Sequence, residues 1–217
     1  MIEVTIVYDN TVYRENVGLQ ADWGFACVVR GEGIPTVLFD TGARGDILLS
    51  NMERLSIAPD EIDMVFISHN HLDHTGGLGA FVAKNRRVKI YVPPSFGGLM
   101  YSEVTLEVVR TPIEIVDGIF STGELEGIEQ SMVVATREGA IVFVGCSHPG
   151  MKAILSSASQ FGIPYAVIGG FHGFREYQLF RDLSLICPCH CTVHKAEIKR
   201  LYPKKCVDGG VGRVIEI

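Results

Sequence analysis

The chain of 217 residues is 47% apolar and 20% charged, with 24 glycines and 9 prolines. That much apolar surface offsets ordering entropy and excludes an intrinsically disordered chain, and no apolar run approaches the ~18–20 residues of a membrane span. Nineteen basic and 25 acidic residues give a formal charge of −6, and without a basic stripe a nucleic-acid backbone binder is excluded as well.

Residues 1–9 read as a strand; no basic segment marks them as a secretory signal, and the expected setting is the cytoplasm. Residues 25–30 and 36–39 read as strands around a turn at 31–35. Residues 45–55 carry Ile47, Leu48, Met52 and Leu55 at helical spacing. The continuous apolar run 64–67 is a strand buried on both faces, followed by a helix at 75–83, a strand at 88–92 and several short strands across 104–121. The second half repeats this plan. A hairpin spans 132–136 and 140–144, then come a helix near 151–161, a strand at 165–168, a helix around 174–183, a strand at 183–186, a helix around 193–201 and a last strand at 213–217. Two copies of strand–turn–strand–helix predict an α/β chain of one domain over 1–217, two sheets packed together with helices outside.

Six cysteines without a secretory signal read as thiols rather than a disulfide framework. The one-residue spacing in Cys187-Pro188-Cys189-His190-Cys191 does not match the C-x₂-C pair of a structural zinc site. If side chains alternate around His148 and His190, the cysteines, Cys146 included, point away from those rings and pack the loops.

The histidines carry the chemical signal. His69, His71 and His74 fall within six residues, with Asp73 among them, directly after the strand at 64–67. His69 and His71 are two apart and project to one side of an extended segment. Four donors so close together serve two adjacent ions better than one tetrahedral ion. His148, His172 and His190 each follow a strand's carboxyl end, where open α/β sheets collect functional residues.

His69-Asn70-His71-Leu72-Asp73-His74 fits the pattern H-x-H-x-D-H and resembles the metallo-β-lactamase fold superfamily, as does Leu38-Phe39-Asp40-Thr41-Gly42. Gly145-Cys146-Ser147-His148, Gly169-Gly170-Phe171-His172 and Pro188-Cys189-His190-Cys191-Thr192 look like its branch of β-ribofuranosylaminobenzene 5′-phosphate synthase-like, dihydropterin-related proteins. The resemblance implies a four-layer αβ/βα sandwich of two pseudo-symmetric halves with a dinuclear metal site at one edge. It implies that His69, His71 and His148 hold one metal, that Asp73, His74 and His190 hold the other, and that Asp40 orients ligand loops by hydrogen bonds. Asp73 would also orient the nucleophile, and His172 would donate a proton to the leaving group or hydrogen-bond a substrate oxygen. Hydrolytic members usually carry Thr-Pro-Gly-His and a later bridging Asp; here residues 123–130 hold no histidine and Cys146 stands where the Asp is expected.

His-rich ligation suits Zn²⁺, with Fe and Mn as alternatives. Two such ions sit ~3.5–4 Å apart and bridge a hydroxide with a pKa near ~7. The expected function is a metal-dependent hydrolase cleaving a phosphate ester, phosphodiester or carboxyl ester of a small anionic molecule, with no nucleic-acid or membrane partner. The alternatives are a synthase or transferase step in pterin cofactor metabolism and a di-iron redox protein.

Overall fold

The computed structural model describes residues 1–14, 18–97 and 104–217. The first half contributes β1 (Ile2–Tyr8), β2 (Ala26–Gly31), β3 (Ile34–Phe39), β4 (Met64–Phe66), β5 (Lys89–Val92) and β6 (Thr105–Val108). The second contributes β7 (Ile113–Val116), β8 (Ile119–Ser121), β9 (Met132–Ala135), β10 (Ala140–Val144), β11 (Pro164–Gly170) and β12 (Leu185–Cys189), and β13 (Val214–Glu216) returns to the first sheet. The helices are α1 (Gly45–Arg54), α2 (Leu72–Thr75), α3 (Leu78–Lys84), α4 (Met151–Ala158) and α5 (Lys195–Leu201). None of them is long and apolar enough to cross a membrane.

The sheet orders are β13-β1-β2-β3-β4-β5-β6 and β12-β11-β10-β9-β8-β7. β1, β2 and β3 pair antiparallel and β3, β4 and β5 parallel. β8, β9 and β10 again pair antiparallel, and β10, β11 and β12 parallel. The repeat read in the sequence is thus a repeat of pairing.

Strand alternation divides the apolar residues into three layers. Phe25, Phe39, Phe66, Phe143 and Ile168 meet between the sheets. Val28, Leu38, Val65 and Ile90 turn outward onto α1 and α3. Val142, Val144, Val167 and Ile186 turn outward onto α4 and α5. Helix, sheet, sheet and helix therefore stack as the four layers expected. Phe39 stacks on Phe66 at 5.6 Å and reaches Phe143 of the other sheet at 6.0 Å; its truncation to Ala removes about 3–5 kcal/mol.

Two expectations are corrected. The helix expected at 75–83 is two helices, because glycines at 76 and 77 press against the 41–43 loop. A Cβ on Gly76 would stand 2.1 Å from the Ala43 carbonyl oxygen, and one on Gly77 2.2 Å from that of Thr41. The helix expected at 174–183 is only a 3₁₀ turn, Tyr177–Phe180. Phe171, Phe174 and Phe180 cluster there with ring centroids 4.7–5.4 Å apart, so the apolar spacing anchors a loop on the core. That packing buries Phe171 in the outer core. β11 and β12 run past their expected ends to Gly170 and Cys189, which sets His172 and His190 close beyond the sheet.

Candidate metal centre

The parallel strands deliver their carboxyl ends to one edge, and the backbone bends sharply there. Asp40, Ser147, His172 and His190 all have left-handed backbone, with φ of 55°, 63°, 44° and 44°. Such conformations cost about 1–3 kcal/mol each in residues with a Cβ and cluster at functional sites.

In the first half, Asp40 organises the histidines from below. Its Oδ1 accepts the Ser68 N–H at 2.7 Å and its Oδ2 the Ser68 hydroxyl at 2.7 Å. Burial pushes this carboxyl up and the two Ser68 donors pull it down. Both oxygens already accept from Ser68, so the His74 ring donates its Nδ1–H to Oδ2 at 2.7 Å. The Ser68 oxygen, its hydrogen committed, accepts from His69 Nδ1 at 2.9 Å. His69 and His74 therefore both turn a bare Nε2 inward. His69 Nε2 lies 3.1 Å from His71 Nδ1, and His74 Nε2 lies 3.2 Å from Cys146 Sγ.

In the second half, each loop is pinned through its backbone. The buried Glu129 carboxylate accepts N–H groups of Cys146, Ser147 and His148 at 3.0, 3.1 and 2.8 Å. Burial raises this carboxyl to about 7 although three amides pull it down. Asp9 accepts the His190 N–H at 2.8 Å. Asn10 Oδ1 accepts the Gly24 N–H and sits 2.9 Å from His190 Nδ1. That fixes Nδ1 as the donor and leaves His190 Nε2 bare, 3.1 Å from Asp73 Oδ2.

His69, His71 and His148 are neighbours, with His148 ring centroids 4.7 and 4.8 Å from the other two. The donor atoms of Asp73, His74, Cys146 and His190 lie within 4.8 Å of one another. The donor atoms of His69, Cys146 and His148 likewise lie within 4.8 Å of one another, so Cys146 stands in both groups, and His71 adjoins the first by its 3.1 Å approach to His69. His172 is exposed beside His148 at 4.7 Å, and its ring nitrogen lies within 4.8 Å of the Cys146 and Cys191 sulfurs. Asp40 lies beneath, fully buried.

Cys146 departs from expectation by pointing into the cluster. Left-handed turns at Ser147 and at His190 break the alternation expected around both histidines, for Cys146 and for Cys191. Cys187 and Cys189 follow the expectation, packing into the core between the sheets. Sequence reasoning also missed Glu129, Asn10 and Trp23. The Trp23 ring meets His190 edge-on at 5.0 Å and is 58% exposed, which places a flat apolar surface at the mouth.

The donor set fits a cation. His148 Nε2 and His190 Nε2 are buried with no aligned hydrogen-bond partner, and bare nitrogens face a carboxylate. Burial first, then repulsion among the rings, pulls His69 and His74 well below the usual imidazole range, and His148 to about 4. Burial would raise the Asp73 carboxyl, but its contact with the His190 ring and then the pull of His74 hold it low. Neutral imidazoles around an ionised carboxylate are the protonation states that ligate a divalent metal.

The chain matches the sequence profile of the Metallo-beta-lactamase superfamily over residues 24–156. It is 29% identical over 258 aligned positions to the 7,8-dihydropterin-6-methyl-4-(β-D-ribofuranosyl)-aminobenzene-5′-phosphate synthase of Methanocaldococcus jannaschii, covering 89% of this chain and 88% of that one. Among solved structures, Tm1679, a metal-dependent hydrolase of the β-lactamase superfamily, superposes with a TM-score of 0.81 at 25% identity, covering 100% of this chain and 99% of that one. The metallo-β-lactamase fold protein YhfI from Bacillus subtilis shares the fold with a TM-score of 0.73 at 13% identity, over 100% of this chain and 99% of that one. With its sandwich, its histidine edge and its profile in agreement, the chain belongs to the metallo-β-lactamase superfamily.

Proposed function

We propose that this protein is a metal-dependent hydrolase that uses two zinc ions, one held by His69, His71 and His148 and one by Asp73, His74 and His190, to cleave an ester of a small anionic substrate. One observation carries the reading: ring N–H groups of His69, His74 and His190 are tied outward to Ser68, Asp40 and Asn10, which turns bare Nε2 atoms inward, those of His74 and His190 toward Asp73 and that of His69 toward His71. Imidazole nitrogens with one carboxylate suit zinc. Bound there, divalent ions supply Lewis-acid polarisation of the ester and ionise a water near neutral pH.

The chain's own residues do the rest. Asp73 is half-buried at the solvent side of the cluster, placed to hold a water by hydrogen bond. His172 is pulled below its usual value by burial and then by the charge of His190, so at neutral pH it offers one N–H to a substrate oxygen. Buried Asp40 and Glu129 keep the rings and loops from reorganising during turnover.

A second reading, synthesis on a pterin, draws on the synthase relative and on the exposed Trp23 ring at the mouth. A panel of bis(4-nitrophenyl) phosphate, 4-nitrophenyl phosphate and phenyl acetate, each with and without chelator, tests the first. Chelator-sensitive hydrolysis of at least one supports it. A fully metal-loaded protein that turns over none, while a reduced pterin saturably quenches the fluorescence of the single tryptophan, moves the assignment to the second.

A further inference from the structure

We propose that Cys146 and Cys191 form an oxidation site at the mouth of the cluster, closing to a reversible disulfide when the protein meets hydrogen peroxide. Their sulfurs stand 3.3 Å apart, and closing that gap to the ~2.05 Å of an S–S bond asks for about 1.3 Å of side-chain movement.

The approach has a specific structural cause. Cys146 follows β10 and Cys191 follows β12, two strands separated by β11 and therefore about 10 Å apart in the sheet. The thiols meet because β11, the strand between them, ends in Gly170. A Cβ there would sit 2.7 Å from Cys191 Sγ and 3.3 Å from Cys146 Cα. The missing side chain is the space in which the two loops converge. The other close pair is built differently. Cys187 and Cys189 are 3.7 Å apart at sulfur but alternate along one strand, with no solvent exposure; strand neighbours of that spacing hold their Cα atoms about 6.7 Å apart with parallel Cβ vectors, at the limit of disulfide geometry. Cys191 is 7% exposed and Cys146 2%, and both open toward the exposed His172.

The chemistry balances with peroxide as the only co-reactant. The Cys191 sulfur, the more accessible, attacks one peroxide oxygen; the O–O bond breaks, one water leaves, and Cys191 becomes a sulfenic acid. The Cys146 sulfur then attacks the Cys191 sulfur, and the hydroxyl departs with the Cys146 proton as a second water. Two electrons pass from the two sulfurs to peroxide. A thiol reductant reverses the bond by exchange.

The mass of the chain reads this out whatever the cluster binds. The full-length protein, with and without prior chelator treatment, is exposed to stoichiometric hydrogen peroxide. The expected product is about 2 Da lighter, has lost two of its six free thiols, yields a Cys146–Cys191 cross-linked peptide on tandem fragmentation, and regains its mass in dithiothreitol. Cys191→Ser abolishes the cross-link, Cys146→Ser converts the product into a sulfenic acid about 16 Da heavier, and Cys187→Ser changes neither. Gly170→Ala slows formation several-fold. A cross-link mapping to Cys187 and Cys189, retention of the product in Cys191→Ser, or an unchanged mass in folded wild-type protein would each overturn the proposal.

Discussion

The two halves of this molecule share a strand plan but supply their functional groups in opposite ways. The first half concentrates His69, His71, Asp73 and His74 in six residues after β4 and holds two of the rings through one carboxylate and one hydroxyl. The second half spreads Cys146, His148, His172 and His190 over three loops and fixes two of those loops by backbone bonds to Glu129 and Asp9. Dense ligands are controlled through side chains, dispersed ligands through the main chain. The first arrangement sets ring tautomers; the second sets loop positions and leaves the tautomer of His190 to Asn10.

Removing Asp40 should break the first half most severely. Asp40→Ala strands the Ser68 N–H, the Ser68 hydroxyl and the His74 N–H in a fully buried place. Unsatisfied buried donors cost about 1–3 kcal/mol each, so a loss of about 4–6 kcal/mol in urea unfolding is expected, with metal lost from both sets. A loss below about 1 kcal/mol would show that the wiring is dispensable.

Glu129→Ala is the matching lesion in the second half. It strands three N–H groups, an expected loss of about 3–5 kcal/mol after water relieves part of it. The spectroscopic signature of cobalt bound at His148 should change while that at His74 and His190 is kept. Equal damage to both would mean the halves are not independently controlled.

How far these controls can be read from sequence differs in the same way. Spacing alone exposes His69–His74 because its donors are adjacent, and the strand ends expose His148 and His190. Glu129 carries no pattern: it lies in irregular chain, and only the folded 146–148 loop shows what its carboxylate accepts. Asn10 acts on His190 across 180 residues, a contact that only the closing of the fold creates. The layered architecture was legible because the strand–turn–strand–helix plan recurs and the continuous apolar run of β4 needs cover on both faces. The apolar run at 174–183 misled because its aromatic spacing serves a loop packed on the core as well as a helix.

Smaller effects sharpen the comparison. Asn10→Ala frees the His190 ring to adopt either tautomer without removing a ligand, and losses of such supporting bonds typically weaken metal affinity about 10–100-fold. Competition with a chromophoric chelator would measure this, and an unchanged affinity would remove Asn10 from the account. Acid should act more gently and through the histidines. His148 titrates at about 4 in the folded chain, below its unfolded value near ~6.5. Below the latter the unfolded chain binds the extra proton, so stability of the metal-free protein should be full above about pH 6.5 and decline as pH falls toward about 4. Thermal melts of metal-free wild type and His148→Gln across that window should converge at the acid end; a constant difference would assign the decline to other groups.

Two donor sets, each joining first-half groups held by side chains to a second-half ring carried on a pinned loop, are proposed to hold one metal ion each. Metal counting by mass spectrometry on zinc-loaded, dialysed full-length protein tests this most directly. Two ions per chain in the wild type, one in Asp73→Ala and one in His148→Ala would agree with the account. Less than one ion in the wild type, or two retained in both variants, would contradict it.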